Sequence, residues 1–146
     1  MAITSAICNS FKQEILEAEH NFTASTGNTF NLALYDSDAT LGAGTTAYTT
    51  SEEITNTSGT AYSAKGKALT SVTPTVDSST AVCDFADVSW TSASFTARGC
   101  LIFNDSHSTD AAVCAIDFGG DKTATSGTFT IQFPAAAAST AIIRIA

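Results

Sequence analysis

The stretch VSWTSASFTARGCLIFND, residues 88–105, alternates in a way that only an extended strand satisfies. Phe95, Ala97, Gly99, Leu101 and Phe103 fall on one side, and Thr96, Arg98, Cys100 and Ile102 on the other. Apolar residues with a period of two mark a strand with one face on a core. The same stretch holds the only Trp of the chain, Trp90, and one of its six basic residues, Arg98. Trp90 stands upstream across the turn-like TSAS and is expected to close the end of the core, as a large ring with one polar edge does. Arg98 is on the less apolar side, where its stem covers neighbours while its guanidinium reaches a carboxylate or water. It reads as a structural ion pair or an interface contact.

Further strands follow in both directions. FNLALY (30–35) sets Phe30, Leu32 and Leu34 against Asn31, Ala33 and Tyr35. GTFTIQF (127–133) sets Phe129, Ile131 and Phe133 against Thr128, Thr130 and Gln132. KALTSVTPTV (67–76), TAVCDF (80–85), AAVCAIDF (111–118) and TAIIRIA (140–146) complete the set. Turn-type residues separate them: VDSS, NDSHSTD, FGGDKTATSG and PAAAAS. Many short strands of this kind predict a mainly β fold, an antiparallel β-sandwich or barrel of jelly-roll type, as a single domain over 1–146. Residues 36–67 are expected to form a long loop region. One segment departs from the pattern. Ile7, Phe11, Ile15 and Ala18 recur at helical spacing, flanked by Cys8 and Leu16, and predict an N-terminal amphipathic helix over 4–19 with Thr4 or Ser5 as its cap.

Composition narrows the function. Hydrophobic residues make up 44% of the 146 and charged residues 14%, against a usual charged share of about 25%. A surface so poor in Lys, Arg and Glu suits a protein partly covered in an assembly. The net charge of −8, with six scattered basic residues, gives no basic patch for phosphates, so neither nucleic acid nor an anionic membrane is expected as a partner. No run of about 18 apolar residues exists to span a bilayer. The first residues, MAITSAICNSFKQEILEAEH, lack the basic start of a signal peptide, which predicts synthesis in the cytoplasm. Cys8, Cys83, Cys100 and Cys114 form no CxxC pair and are expected to be buried free thiols.

Catalytic patterns are missing. His107 lies in the polar turn NDSHSTD, but no G-x-S-x-G elbow accompanies it, and neither a Walker A nor a G-x-G-x-x-G sequence occurs. DSDATLG (36–42) begins like a calcium loop but has Leu41 where such loops have Gly and Ala47 where they have Glu. Asp36, Asp38, Glu52 and Glu53 remain a loose acidic set between loops. The sequence therefore reads as non-enzymatic, with no cofactor and no metal.

The order of the pieces carries a resemblance. MAITSAICNSFKQEILEAEHNF, FNLALYDSDATL, GTAYSAKGKAL, DVSWTSASFTARGCLIFND and IDFGGDKTATSGTFTIQFP, ending in IIRIA, resemble small virion structural proteins of tailed double-stranded DNA bacteriophages. The similarity covers essentially the whole chain, and its most specific part is W-T-x-A-x-x-T-A-R-G-x-L-I-x-N (90–104). The resemblance implies a capsid decoration (cement) protein on the virion surface, bound to a major capsid protein of HK97-like fold and self-associating as a trimer. A tail, baseplate or fibre-associated β-module is the alternative. Phe11 and Ile15 on the helix, Tyr48 and Tyr62 in the long loop, and Arg98 are the candidate interface residues.

Overall fold

The computed structural model describes residues 2–55 and 59–146. The elements in chain order are β1 (Ala6–Ile7), α1 (Asn9–Leu16), β2 (Phe30–Tyr35), β3 (Lys67–Ala68), β4 (Ser71–Asp77), β5 (Thr80–Phe85), β6 (Val88–Asn104), β7 (Ala111–Ile131) and β8 (Ile143–Ile145). They form a five-stranded antiparallel sheet in the order β1-β7-β6-β2-β3 and a three-stranded one in the order β4-β5-β8. The arrangement is sandwich-like and does not close into a barrel.

The strands are where the alternation expects them, but its one-sided burial gives way at the centre of the large sheet. All six residues of β2 are buried, as are Gly99–Asn104 of β6 and Ala111–Ala115 of β7, so the centre of the large sheet is covered on both sides. Near one end of β2, Phe30 stacks on Phe22 at 4.2 Å and meets Phe85 of the small sheet at 5.9 Å. At its other end, the Tyr35 hydroxyl donates to the Thr49 carbonyl at 2.7 Å, tying the sheet to the long loop. Phe103, opposite Asn31, stacks on Tyr48 of that loop at 4.8 Å. Ring pairs at these separations add offset and edge attractions to plain burial.

Two strands are longer than their sequences suggest. TSAS does not separate Trp90 from the strand, and FGGDKTATSG does not split AAVCAIDF from GTFTIQF. β6 and β7 run as one hairpin from Val88–Ile131 to Asn104–Ala111, interrupted by register shifts. Between the pairs Ala97–Lys122 and Gly99–Asp117, residues 118–121 (FGGD) face the single residue Arg98. Nearer the open end, Thr125 and Ser126 face Ser94, and Thr91 and Ser92 face Thr128. Gly119 (φ 75°), Ser126 (φ 49°) and Ser92 (φ 52°) supply the left-handed backbone of these bulges. A bulge needs the same conformations as a turn, so its residues look like turn residues while the pairing continues. Gly99 has a different role: a Cβ there would lie 2.5 Å from the Ile116 carbonyl oxygen, so only Gly lets the two strands re-pair beyond the FGGD bulge.

The helix is shorter than expected. Ala6 and Ile7 pair with Ala115 and Cys114 on the edge of β7, and the Cys8 N–H continues to the Val113 carbonyl at 3.0 Å. Pairing with a sheet edge satisfies backbone groups that a first helical turn would leave without partners. The N-cap is accordingly Cys8, which makes no side-chain cap bond, rather than Thr4 or Ser5. The Asn9 N–H is satisfied by the Ala43 carbonyl at 2.8 Å. Phe11 is buried and Ile15 partly so, Ala18 has left the helix with φ 63°, and Leu16 is 88% exposed.

Candidate interaction surfaces and the networks behind them

Backbone bridges at Leu41 and Ala47 and one carboxylate hold the described part of the long loop. Glu53 bridges to Tyr35 at the end of β2. Its Oε1 accepts the Tyr62 hydroxyl at 2.7 Å and the Lys65 N–H at 2.8 Å, and its Oε2 accepts the Tyr48 hydroxyl at 2.5 Å. The Tyr62 hydroxyl also accepts the Leu34 N–H of β2 at 2.9 Å. Burial, helped by the bond to Glu53, pushes the Tyr48 phenol up to about 12. Burial also raises Tyr62 and Tyr35 further, so all three rings keep their hydroxyl protons as donors. Next to this knot, Gly66 (φ 66°) lies so close to β2 that a Cβ would sit 1.8 Å from the Leu32 carbonyl oxygen.

Lys65 fastens the same loop to the β6–β7 turn. Its Nζ lies 2.9 Å from Asp105 Oδ1 and 2.8 Å from Asp110 Oδ2, and 5.7 Å from the centre of the Tyr48 ring. Hydrogen bonds to Asp110 and then Asp105 hold its ammonium well above the usual lysine range. Lys67 bonds to the Ser89 carbonyl and stands 5.5 Å over Trp90. Trp90 itself is 1% exposed and packs with Tyr62, Phe95 and Phe129, which is the core-closing position expected of it.

The two histidines also hold the fold together. The side chain of His20 is fully buried, with Nε2 2.8 Å from Glu14 Oε2 and Nδ1 3.1 Å from Asn104 Nδ2. Asn104 Oδ1 accepts the Ser106 N–H, which turns its Nδ2 donor toward His20. Nδ1 is therefore an acceptor and Nε2–H donates to Glu14, which links α1 to the end of β6. His107 stacks over His20 at 6.3 Å, and its Nδ1 accepts the N–H of Thr109 within its own turn at 3.3 Å.

Arg98 makes the ion pair expected of it. Its Nε donates to Asp117 Oδ1 at 2.8 Å, and that oxygen also accepts the Gly119 N–H at 2.9 Å. The pair clamps the base of the FGGD bulge. The guanidinium holds the Asp117 carboxyl below the usual aspartate range, and the Gly119 N–H adds to the effect.

The sequence-based interface residues thus divide. Phe11 (3% exposed) and Tyr62 (2%) belong to the chain's own core and present almost no surface. Ile15, Tyr48 and Arg98 are partly exposed. They lie on separate elements and are not brought together as one patch by any contact between them among the described residues. Of the acidic set, Asp36, Asp38 and Glu52 bring their carboxylate oxygens within 4.8 Å of one another. Asp36 Oδ1 is already bonded to the Asp38 N–H, and Glu53 is held by the tyrosines instead.

Two of the grooves on the surface differ in character. One, of about 640 Å³, runs between the N-terminal segment and the loop and is lined largely by Thr and Gly, from Thr4 to Thr40 and on to Thr49. The other, of about 500 Å³, is apolar. Phe118, Phe129, Ile131, Phe133 and Ile142 line it, and Lys122 is its only charged residue. Phe118 and Lys122, on either side of the Gly119–Asp121 part of the bulge, both line it, which no local sequence pattern foretells. Comparison of the chain with protein-family models, with curated proteins and with solved structures finds no match.

Proposed function

We propose that this chain is a non-enzymatic virion structural protein of a tailed bacteriophage. In this reading it decorates the capsid and stabilises it by bridging neighbouring subunits of an HK97-like major capsid protein. The observation that carries the reading is how the reactive groups are used. Trp90, Arg98, His20, Glu53 and Lys65 are each tied into a network that holds the loop, helix or bulge to the sheets. The resemblance through residues 90–104 supports it as well, and that segment makes up most of β6, the central strand of the five-stranded sheet. A protein of this kind works by area. At about 25 cal/mol per Å² of apolar surface, a modest contact repeated over a shell adds up to substantial reinforcement without any catalytic group.

The test is the number of copies per major capsid protein in gradient-purified virions. A simple whole-number ratio across the shell is expected. A few dozen copies or fewer would place the chain on the tail or at a vertex, and its absence from the particle would overturn the virion reading altogether.

A further inference from the structure

Five of the six basic side chains have partners within the chain: Lys12 with Asn9, Lys65 with Asp105 and Asp110, Lys67 with Ser89, Arg98 with Asp117, and Arg144 with Ala138. Lys122 has none among the described residues, and it stands on the rim of the apolar groove. A concave apolar site of about 500 Å³ with one unpaired cation fits an apolar group that carries a negative charge beside it.

The chain presents such a group elsewhere. Four large apolar side chains are exposed among the described residues: Leu16 (88%), Val76 (70%), Ile145 (55%) and Val72 (43%). Ile145 adjoins Arg144, which has the wrong sign, and Val72, opposite Asp84 in the β4–β5 pairing, is the least exposed of the four. Asp77, next to Val76, is tied down by a part-buried bond from the Ala138 N–H at 2.7 Å, which pins it to the segment after β7. Leu16 is the most exposed of the four and is followed by Glu17. Glu17 Oε1 accepts from Gln13 in an exposed bond of 2.9 Å within the helix, and its Oε2 has no partner among the described residues.

We infer that the end of α1 of one copy docks in the groove of another, with Leu16 seated against Phe118, Phe129 and Phe133 and Glu17 paired with Lys122. Knob and groove are different surfaces, so the contact is head-to-tail, and it closes into a ring or propagates. One knob covers far less than a standard interface of about 1,600 Å². Association in dilute solution is therefore weak and strengthens where copies are held side by side. The inference rests on the chain's own surfaces and does not depend on where the protein sits in a particle.

Sedimentation of the full chain over a concentration series up to about 1 mM tests it. Leu16 and Lys122 are exposed, so Leu16→Asp and Lys122→Glu leave the core untouched. Each is expected to weaken association about tenfold, and the charge swap Glu17→Lys with Lys122→Glu is expected to restore it. A wild-type chain that stays monomeric throughout would overturn the inference. So would association indifferent to Leu16→Asp, or a charge swap no better than Lys122→Glu alone.

Discussion

Replacing Glu53 by Ala removes the acceptor that gathers Tyr48, Tyr62 and the Lys65 N–H around one carboxylate. The three losses differ in weight. Tyr48 is partly exposed, so its hydroxyl can turn to water at little cost. Tyr62 is 2% exposed, and its hydroxyl proton would be left without an acceptor, a penalty of about 1–3 kcal/mol. The Lys65 N–H is part-buried and contributes about 1 kcal/mol more. The expected loss is about 2–4 kcal/mol, a large part of the roughly 5–15 kcal/mol that holds a domain together. For a chain near 150 residues this lowers Tm by roughly 5–15 °C. Urea unfolding followed by Trp90 fluorescence, with circular dichroism as a second probe, measures it. Glu52→Ala is the matched control, since the neighbouring carboxylate is exposed and is expected to change stability by less than about 0.5 kcal/mol. Tyr62→Phe is expected to be costly as well, because it strips the Leu34 N–H of β2 of its acceptor. If Glu53→Ala and Glu52→Ala are equally mild, Glu53 does not hold the loop.

Three further outcomes follow from the same packing. Trp90→Ala is expected to cost about 3–5 kcal/mol, read from the urea midpoint by circular dichroism, and a cost below about 1 kcal/mol would mean that Trp90 does not close the core. All four thiols are buried and free, so none should react with a thiol reagent in the native protein near neutral pH, while all four react after unfolding. Burial pushes Cys8 up to about 11 and Cys83 and Cys114 up to about 12 from 9.0. Their contribution is whole below pH 9.0 and is lost as pH rises toward those values, so the urea midpoint should fall through that alkaline window, and a flat profile would contradict it. The Asp117 carboxyl is depressed by Arg98, so the pair stabilises above the ordinary aspartate range and ceases to as pH falls through the lowered value. Any stability gap between wild type and Arg98→Ala should therefore be present near neutrality and close in acid, and a gap that widens in acid would refute the pairing.

The parts of this fold that were legible in the sequence are those set by a period of two. FNLALY and TAVCDF match β2 and β5, and the Phe129 side of GTFTIQF faces inward as its alternation requires. Alternation reports which side of a strand is covered where the other side stays open, as in 127–133, and fails to in β2, where both faces are buried. It does not report whether a strand stops. TSAS and FGGDKTATSG carry the residues of turns, and the hairpin uses them for bulges, since Gly119, Ser92 and Ser126 meet the same backbone requirement in either setting. The helix was misjudged for a related reason. Ile7 fits the helical stripe, but whether Ala6 and Ile7 coil or extend is settled by the free edge of β7, more than 100 residues away. Local propensity yields to such pairing because the edge offers hydrogen bonds to backbone groups that a helix start cannot satisfy.

The loop marks a deeper limit. Glu53, Tyr48, Tyr62 and Lys65 share no period and no motif spacing, and Glu53 was grouped in sequence with Asp36, Asp38 and Glu52 only because all four are acidic and near one another. What separates it from them is the company of two buried or half-buried phenols, which is a property of the folded loop. The same holds for the apolar groove, which gathers Phe118 and Lys122 from the two ends of the bulge with Phe129, Phe133 and Ile142 from further along the chain. The residues most open to a partner, Leu16 and Lys122, were therefore the least conspicuous in the sequence. Phe11 and Tyr62, candidates as contacts on the helix and in the long loop, are already occupied by the core. In a chain with so few basic residues, the informative observation is the one basic side chain that the fold leaves without a partner among the described residues, and that can be read only after the other five have been placed.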